Sequence, residues 1–377
     1  MKWASTFISK SSFKIIGSFL LVFILATCTK SETESETDPE NTPDQSQDLY
    51  YPPISASKAW ETVSLESLNW DTAAATDLNA FLEAEGTQSF LILKDGKIAM
   101  ESYFGTTTKE SLWYWASAGK TLTSFLIGIA AAEGKLSVDD RTSDHLGQGW
   151  TSALAEKEQK IRIIDQLRMT SGLDENIFEC TTPNCLQFTA DAGTRWAYHN
   201  GPYTMLQSVI SNAVSEDFNT YFNSRLRNRI GMDGFWLAQG QGNNVYYSSA
   251  RAMARFGLLI LGQGKWDSEP VLTDMNYYRD MLRPSQSFNQ AYGYLWWLNG
   301  QDRFMAPGSQ VVFPGELIPS APGDLVAGLG KNDQKLYIVP SQNLVIVRMG
   351  NDTGDALLGP SSFDSALWER ISDMIGL

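Results

Sequence analysis

Residues 115–121 read WASAGKT, and this stretch supports two incompatible interpretations. Its last three residues, Gly119-Lys120-Thr121, have the order that ends a phosphate-binding loop. Ser117 and Lys120, by contrast, have the spacing of a serine nucleophile and a lysine base one helical turn apart. The two interpretations imply different folds and different chemistry for the whole chain.

The phosphate-loop interpretation fails on spacing. Such a loop needs a glycine five residues before its Gly-Lys pair, and Tyr114 occupies that position. The loop should also follow a buried strand, whereas the segment before it, Leu112-Trp113-Tyr114-Trp115, is aromatic and leads directly into small residues. The sequence therefore argues against a nucleotide-binding function.

The serine–lysine interpretation has a physical basis. If a helix begins near Ser117, the partial positive charge at its N-terminus favours a developing alkoxide there. Lys120 would be buried one turn further on, and burial would lower its pKa below the usual value of about 10.4. The lysine could then accept the serine proton. The alternative is an ordinary helix start with Ser117 as cap and Lys120 in solvent, because Ser-x-x-Lys is common by chance.

Four further motifs occur along the chain after Ser117 and Lys120. Tyr198-His199-Asn200 lies within AGTRWAYHNGPYTML (residues 192–206), ahead of a predicted helix. The others are LRMTSGL at 167–173, ARAMARFG at 250–257 and YGYLWW at 292–297. With Ser-x-x-Lys, this series resembles the class C β-lactamase-related serine hydrolases over about residues 85–350. That family includes penicillin-binding proteins, D-aminopeptidases, carboxylesterases and 6-aminohexanoate-dimer hydrolases.

The resemblance implies a set of catalytic roles. Ser117 would be the nucleophile and Lys120 its proton partner, while Tyr198, as a phenolate or a phenol that shares its proton, would be the second base. Asn200 would hold Lys120 or the substrate amide. Core packing for Tyr198 and a turn role for Asn200 are the alternatives. The family needs no cofactor, and a Ser-His-Asp triad is not favoured, because the chain has two histidines and no Gly-x-Ser-x-Gly elbow.

The family has one more motif, Lys-Thr-Gly on the strand that borders the active site, and this chain departs from it. Gly328-Leu329-Gly330 stands where relatives have Lys-Thr-Gly, so Gly328 offers no side chain to a substrate carboxylate. The backbone N–H of Lys331 can still act with that of Ser117 as an oxyanion donor. Acyl transfer is compatible with this departure, whereas recognition of penicillins or D-Ala peptides is not implied. Close backbone packing is the alternative role for Gly328 and Gly330.

The pattern of elements predicts an α+β fold. A hairpin is expected over residues 90–104 with an Asp95-Gly96 turn, and a second strand pair over residues 336–348. Helices are expected at residues 121–133, 249–261 and 361–375. We therefore expect a β-lactamase/transpeptidase-like antiparallel sheet built from both chain ends, with flanking helices and an inserted, mostly helical region.

The N-terminal residues predict export and anchoring. Residues 1–28 resemble a bacterial lipoprotein signal in which Cys28 is lipidated; an ordinary cleaved signal is the alternative. Residues 29–55 include an acidic segment with seven acids and no base over positions 31–48, which predicts a disordered tether. Residues 56–377 would form the hydrolase domain, held at the membrane of the periplasm or cell envelope by the N-terminal lipid.

The composition and the two remaining cysteines limit the kinds of molecule that the protein is expected to bind. A formal net charge of −14 gives no electrostatic reason to bind nucleic acid. Cys180 and Cys185 bracket a short loop, and in an exported protein they favour a disulfide over a metal site. The expected partner is a small-molecule ester, amide or peptide-like substrate; the sequence leaves the oligomeric state open. A β-lactamase or D-Ala-type peptidase, and a non-catalytic ligand-binding protein, are the alternative functions.

Overall fold

Strands from both ends of the chain meet in one antiparallel sheet. The computed structural model describes residues 49–55, 59–177, 179–239, 243–354 and 359–377. The predicted signal segment, the lipidation site at Cys28 and most of the acidic tether lie outside these residues and stay predictions.

The strands are β1 (Thr87–Lys94), β2 (Lys97–Tyr103), β3 (Trp113–Tyr114), β4 (Phe235–Gln239), β5 (Asn243–Ser248), β6 (Lys265–Trp266), β7 (Glu269–Pro270), β8 (Trp297–Leu298), β9 (Arg303–Met305), β10 (Val312–Pro314), β11 (Val326–Gly330), β12 (Gln334–Val339) and β13 (Leu344–Gly350). The α-helices are α1 (Thr72–Ala84), α2 (Lys120–Ala132), α3 (Thr142–Leu146), α4 (Ala155–Glu158), α5 (Ile163–Leu167), α6 (Asn200–Val214), α7 (Phe218–Phe222), α8 (Ala250–Leu261), α9 (Met275–Met281) and α10 (Ser362–Ile375).

The main sheet has six strands in the order β2-β1-β13-β12-β11-β8. The predicted hairpin forms, because Asp95 and Gly96 both adopt positive φ, 51° and 82°, as a tight two-residue turn requires. The C-terminal strand β13 then pairs antiparallel with β1, so that Leu91 faces Val347 across the ladder. The predicted α+β architecture, with its sheet built from both chain ends, is confirmed.

Helices cover both faces of the sheet. Side chains alternate along β12, so Leu336 packs towards Gly257 of α8 while the ring of Tyr337 meets Trp368 of α10 at 5.6 Å on the other face. Because both faces are covered, β1, β12 and β13 are almost entirely buried, including the polar side chains of Gln334, Lys335 and Arg348. The resulting three-layer core fixes β11, which is the strand that borders the candidate site.

The folded body begins earlier than the sequence pattern predicts. Residues 49–55, assigned to the tether, lie against the hairpin and α8: the N–H of Tyr50 donates to the carbonyl of Asp95 at 3.0 Å, and Leu49 is buried. The guanidinium of Arg255 donates to the carbonyl of Pro53 at 2.8 Å. The acidic composition ends at residue 48, and the aromatic residues that follow it are apolar enough to pack.

The region between β2 and β8 is mostly helical and contains α2 and α6, which carry the candidate site. A small three-stranded sheet, in the order β3-β5-β4, leads into α2. From Lys120 to Ala130 every residue of α2 is buried, so this helix runs through the interior of the body. Within the described ranges, no helix combines the length and apolarity needed to cross a bilayer.

Candidate active site

The segment that contains Ser117 has a strained backbone. Ala116–Gly119 form a single 3-10 turn that continues directly into α2, so the helical region begins where the sequence predicts. Ala116 has φ +47°, a left-handed conformation that costs an alanine about 1 kcal/mol. The residue directly before Ser117 is thus held in an unfavourable conformation by its surroundings, as is common where a side chain must be presented to a cleft.

Ser117 and Lys120 are in direct contact. The Nζ of Lys120 lies 3.0 Å from the Oγ of Ser117. Lys120 is 3% exposed, and burial lowers its pKa from 10.5 to about 7, while the nearby Glu179 carboxylate acts in the opposite direction. A large fraction of Lys120 is therefore a neutral amine near pH 7, and a neutral amine at this distance can accept the serine proton.

Tyr198 reaches the same point from a distant part of the chain. Its phenol hydrogen-bonds the Ser117 side chain, and its ring centroid lies 5.1 Å from the Nζ of Lys120. The ring stacks on Trp297 at 6.1 Å and is flanked by Trp196 at 6.4 Å. This aromatic surrounding fixes the position of the phenol and keeps water away from it.

The protonation state of Tyr198 follows from its burial. Desolvation raises the pKa of its phenol well above the usual value, and the hydrogen bond from Ser117 offsets this only in part. Of the two forms expected from the sequence, the structure favours the phenol over the phenolate. Lys120 is the base of the pair, and Tyr198 is a group that can pass a proton on.

A second tyrosine, not expected from the sequence, contacts the lysine. The ring centroid of Tyr203 lies 4.4 Å from the Nζ of Lys120, and burial raises the pKa of its phenol to about 12. Tyr203 is one turn along α6 from Asn200, so the two share a helix face. That spacing is a signal in the sequence that could have identified Tyr203 as a neighbour of the site.

Asn200 is the first residue of α6 and lines the cleft. It is 3% exposed, and its Oδ1 has no hydrogen-bond partner among the described residues. No hydrogen bond joins it to Lys120 in this part of the chain. The neighbouring His199 turns away from the site: its Nε2 lies 3.2 Å from the carbonyl of Ile177, and burial lowers its pKa to about 4. An uncharged, inward-facing His199 is no partner for Ser117.

Strand β11 packs against the segment that carries Ser117. A Cβ added to Gly330 would lie 2.4 Å from the carbonyl oxygen of Trp115, so only glycine permits this approach. At Gly328 a Cβ would lie 3.3 Å from Thr121 and 3.4 Å from the carbonyl of Ala118. Gly330 therefore serves close packing, whereas Gly328 has nearly enough room for a methyl group. Lys331, the next residue after Gly330, lines the cleft beside Ser117.

We expect Gly330→Ala to reduce both stability and activity. The new methyl group collides with backbone, so β11 must move away from Ser117, at a cost of about 1–3 kcal/mol in unfolding free energy. That movement displaces Lys331, and we expect kcat/KM for an ester to fall by at least ~10-fold. Thermal unfolding and steady-state kinetics measure the two effects.

The matched control is Gly328→Ala on the same strand. Its methyl group would make contacts of 3.3 Å or longer, which small side-chain shifts can relieve. Gly328→Ala should therefore lower the unfolding free energy and kcat/KM clearly less than Gly330→Ala does. Equal behaviour of the two variants would contradict the close contact assigned to Gly330.

The cleft above Ser117 has a volume of about 190 Å³ and a polar lining. Besides Ser117, Lys120, Asn200, Tyr203 and Lys331, it is lined by Ala116 of the 3-10 turn, by Glu179 of a loop, and by residues of the small sheet: Tyr114, Gln239, Asn243, Asn244 and Val245. A larger groove of about 460 Å³, near residues 319–322 and 369–377, holds no lysine, histidine or tyrosine beside its serines. Of these two cavities, the smaller cleft is therefore the one whose side chains can transfer a proton to or from a serine.

A disulfide lies at the edge of this cleft. Cys180 and Cys185 are bonded, closing the loop that the sequence predicts to be stapled. Glu179 directly precedes Cys180 and lines the cleft, a position that no motif in the sequence indicates. Within the part of the chain that the structure describes, no cluster of three or more His, Cys, Asp or Glu residues could hold a metal ion.

Fold and site together define a class of protein. A serine and a lysine in contact at the start of a buried helix, with a tyrosine from a second segment and a bordering sheet strand, are typical of β-lactamase-fold serine hydrolases. The sequence profile of the Beta-lactamase family matches residues 79–362. The chain therefore belongs to the beta-lactamase family, whose members are serine-type hydrolases.

Solved structures share the fold at low sequence identity. A proposed 6-aminohexanoate-dimer hydrolase from Bacillus anthracis matches with a TM-score of 0.63 and 17% identity, over 84% of this chain and 87% of that one. EstCE1, a hydrolase with promiscuous acyltransferase activity, matches with a TM-score of 0.61 and 14% identity, over 82% of this chain and 99% of that one. A penicillin-binding protein homolog from Caulobacter crescentus matches with a TM-score of 0.59 and 12% identity, over 79% of this chain and 95% of that one.

These identities establish a common fold and leave the substrate open. A comparison with curated protein sequences found no match.

Proposed function

We propose that this protein hydrolyses an ester or amide through an acyl-enzyme formed on Ser117, with Lys120 as the base and Tyr198 as a proton carrier. The observation that carries the proposal is the 3.0 Å contact between the Nζ of Lys120 and the Oγ of Ser117. A lysine in that place with a pKa of about 7 is a usable base at neutral pH, which a solvated lysine is not.

In the first half-reaction, the neutral amine of Lys120 takes the Ser117 proton as the oxygen attacks the substrate carbonyl. The backbone N–H groups of Ser117 and Lys331 are the proposed donors to the oxyanion. The tetrahedral intermediate then collapses, and the Tyr198 phenol gives its proton to the leaving alcohol or amine. Lys120 returns the serine proton to Tyr198, so no net charge remains on the pair.

In the second half-reaction, water attacks the acyl group on Ser117. Its proton passes to Lys120, directly or through the phenol of Tyr198, and Lys120 gives that proton to the Ser117 oxygen as the acid product leaves, which regenerates the neutral amine. Because burial raises the pKa of Tyr198, its phenolate is disfavoured, and we infer that the phenol gives up a proton in the same step in which it receives one from Lys120.

Covalent labelling tests the proposal. We expect a fluorophosphonate to add once to the folded protein, and peptide mapping by mass spectrometry to place the adduct on Ser117. p-Nitrophenyl acetate should be turned over by the unlabelled protein and not by the labelled one. A folded protein that gives neither an adduct on Ser117 nor turnover would support the alternative of a non-catalytic ligand-binding protein.

One observation favours a second candidate. Lys331 lines the cleft beside Ser117, and its ammonium could meet a substrate carboxylate, the group that β-lactams and D-Ala peptides carry. The same labelled and unlabelled samples would decide, with nitrocefin and a D-Ala-D-Ala peptide as substrates. Turnover of either at a rate above that of simple esters would assign the protein to the β-lactamase or D-Ala peptidase activity.

A further inference from the structure

The turn that begins at Lys331 has an unfavourable backbone conformation. Lys331–Asp333 form one 3-10 turn between β11 and β12, and both Asn332 and Asp333 have positive φ, 60° and 56°. Asparagine and aspartate tolerate this left-handed conformation better than most residues, but two in succession need support from the surrounding structure. The N–H of Lys331, the proposed oxyanion donor, belongs to the first residue of this turn. The groups that support the turn therefore also fix the donor.

A buried arginine from another strand binds this turn. Arg348 of β13 is fully buried, and its Nη1 donates to the backbone carbonyls of Asn332 at 3.0 Å and Asp333 at 3.1 Å. Its other hydrogen bonds reach three further oxygens: the carbonyls of Glu85 and Asn351 and the hydroxyl of Thr87. One guanidinium thus joins the turn to the main sheet and to the end of α1.

The burial of this arginine is costly. Loss of contact with water lowers the pKa of Arg348 to about 10, and the nearby Asp333 carboxylate opposes this only in part. Arg348 is charged at neutral pH, yet its hydrogen bonds within the described ranges go to neutral oxygens alone. An apolar side chain of similar size would avoid the loss of solvation, so packing by itself does not account for an arginine here.

A buried glutamine makes a second link between the turn and β13. The Nε2 of Gln334 donates to the carbonyls of Asn332 and Gly350, both at 2.7 Å, and its Oε1 accepts from the N–H of Gly350 at 3.0 Å. The carbonyl of Asn332 therefore receives hydrogen bonds from both Gln334 and Arg348. Because β13 lies in the middle of the six-stranded sheet, the turn is fixed to the most rigid part of the body.

The turn is also joined to the wall of the cleft. The Nδ2 of Asn332 donates to the hydroxyl of Tyr114 at 2.8 Å, and both Tyr114 and Lys331 line the cleft. Tyr114 lies three residues before Ser117, whose N–H is the other proposed oxyanion donor. A movement of the turn would therefore change the distance between the two donors.

We propose that Arg348 and Gln334 are positioning residues for the proposed hydrolysis: by binding the carbonyls of Asn332 and Asp333, they hold the N–H of Lys331 in the direction of the oxyanion. Neither side chain lines the cleft, so both act through the backbone of the turn. A lysine in place of Arg348 would keep the charge, but an ammonium lacks the planar fork that reaches the turn, Glu85 and Thr87 together. This inference rests on the proposed function, whereas the support of the turn can be tested without turnover.

A change of the substrate's carbonyl tests the positioning. We expect Arg348→Lys to lower kcat/KM for a p-nitrophenyl ester by at least ~10-fold, mainly through kcat. For the matching thionoester, in which sulfur replaces the carbonyl oxygen, the loss should be below ~3-fold, because sulfur is a weak acceptor and gains little from the N–H of Lys331 in either protein. A general loss of structure would affect both substrates alike, so the ratio of the two kcat/KM values is the readout.

Gln334→Met is the second test variant, and it carries the test if Arg348→Lys does not fold. It keeps the volume of the side chain and removes the donor to the carbonyl of Asn332, so the ratio should fall in the same direction. Arg255→Lys is the matched control. The guanidinium of Arg255 also donates to backbone carbonyls, those of Pro53 and Ile230 at 2.8 Å, but it does not line the cleft. Its replacement should keep the wild-type ratio.

Hydrogen–deuterium exchange measures the turn directly. In peptides that span residues 329–336, we expect Arg348→Lys and Gln334→Met to exchange at least ~5-fold faster than wild type, and Arg255→Lys to exchange at the wild-type rate. Turnover that depends on Ser117, with the wild-type ratio of ester to thionoester in the folded test variants, would overturn the positioning role and leave the hydrolase intact. Faster exchange in a protein that neither labels nor turns over would support the hold on the turn and overturn the hydrolase. Unchanged exchange in the folded test variants would overturn the inference whatever the activity.

Discussion

Replacing Ser117 with alanine is expected to reduce kcat for ester hydrolysis by ~10⁴-fold or more while the protein stays folded. The hydroxyl is the only group in the proposed mechanism that forms a bond to the substrate, and loss of a nucleophile typically removes this much of the rate. Ser117 is partly exposed to the cleft, so its loss leaves little void in the core. Steady-state kinetics and thermal unfolding, run on the same samples, measure the two quantities.

Ser124 provides a matched control. It lies two turns further along the same buried helix, and its hydroxyl has no hydrogen-bond partner among the described residues. Ser124→Ala should therefore keep both activity and stability close to wild type. Undiminished turnover by Ser117→Ala, with fluorophosphonate labelling at another residue, would mean that the nucleophile has been misassigned.

The local part of the site was predictable, because it depends on short-range geometry. Ser117 and Lys120 are three residues apart, and any helix that begins near Ser117 brings them together. The burial of Lys120 could also be expected, since α2 is apolar from Phe125 to Ala132 and therefore runs through the interior. The hairpin at Asp95-Gly96 was predictable for a similar reason: two residues with positive φ fix the turn, whatever the rest of the chain does.

The convergence of distant residues could not be derived from spacing. Tyr198 is separated from Ser117 by eighty positions, and only the family resemblance suggested that they meet. The contact depends on how α6 packs beside α2, and on the aromatic groups of Trp196 and Trp297 that fix the ring of Tyr198. Such long-range packing has no period in the sequence.

Three features of the site could be decided only from the structure. The sequence left Tyr198 open between phenol and phenolate, and the degree of burial decides for the phenol. The sequence left Gly328 and Gly330 open between an altered substrate-binding motif and close backbone packing, and the structure shows that Gly330 is the residue that lets β11 approach the segment of Ser117. Glu179 lies in a loop with no regular pattern, and only the packing of Cys180 on Gly201 shows that it reaches the cleft.

The neutral amine of Lys120 makes a quantitative pH prediction. Since the lysine must be uncharged to accept the serine proton, and its pKa is about 7, kcat/KM should rise about tenfold per pH unit below pH 6 and level off above pH 8. Tyr198 does not titrate in this range, because burial raises its pKa. We expect Lys120→Met to lower kcat/KM by at least ~10³-fold at pH 8 and to abolish the rise, as measured by pH–rate profiles.

The same substitution should raise stability, because folding forces the buried amine of Lys120 to lose its proton. The pKa of Lys120 is 10.5 in the reference state and about 7 in the folded protein, so between these values the unfolded chain binds more protons and wild-type stability rises with pH. Lys120→Met avoids the cost of neutralising a buried amine and should unfold at higher temperature at pH 7, by a margin that shrinks towards pH 10. Lys160→Met, at an exposed lysine, should change neither profile. A Lys120→Met variant that is less stable at pH 7 would contradict the lowered pKa of Lys120, and one that keeps the wild-type pH–rate profile would show that Lys120 is not the base.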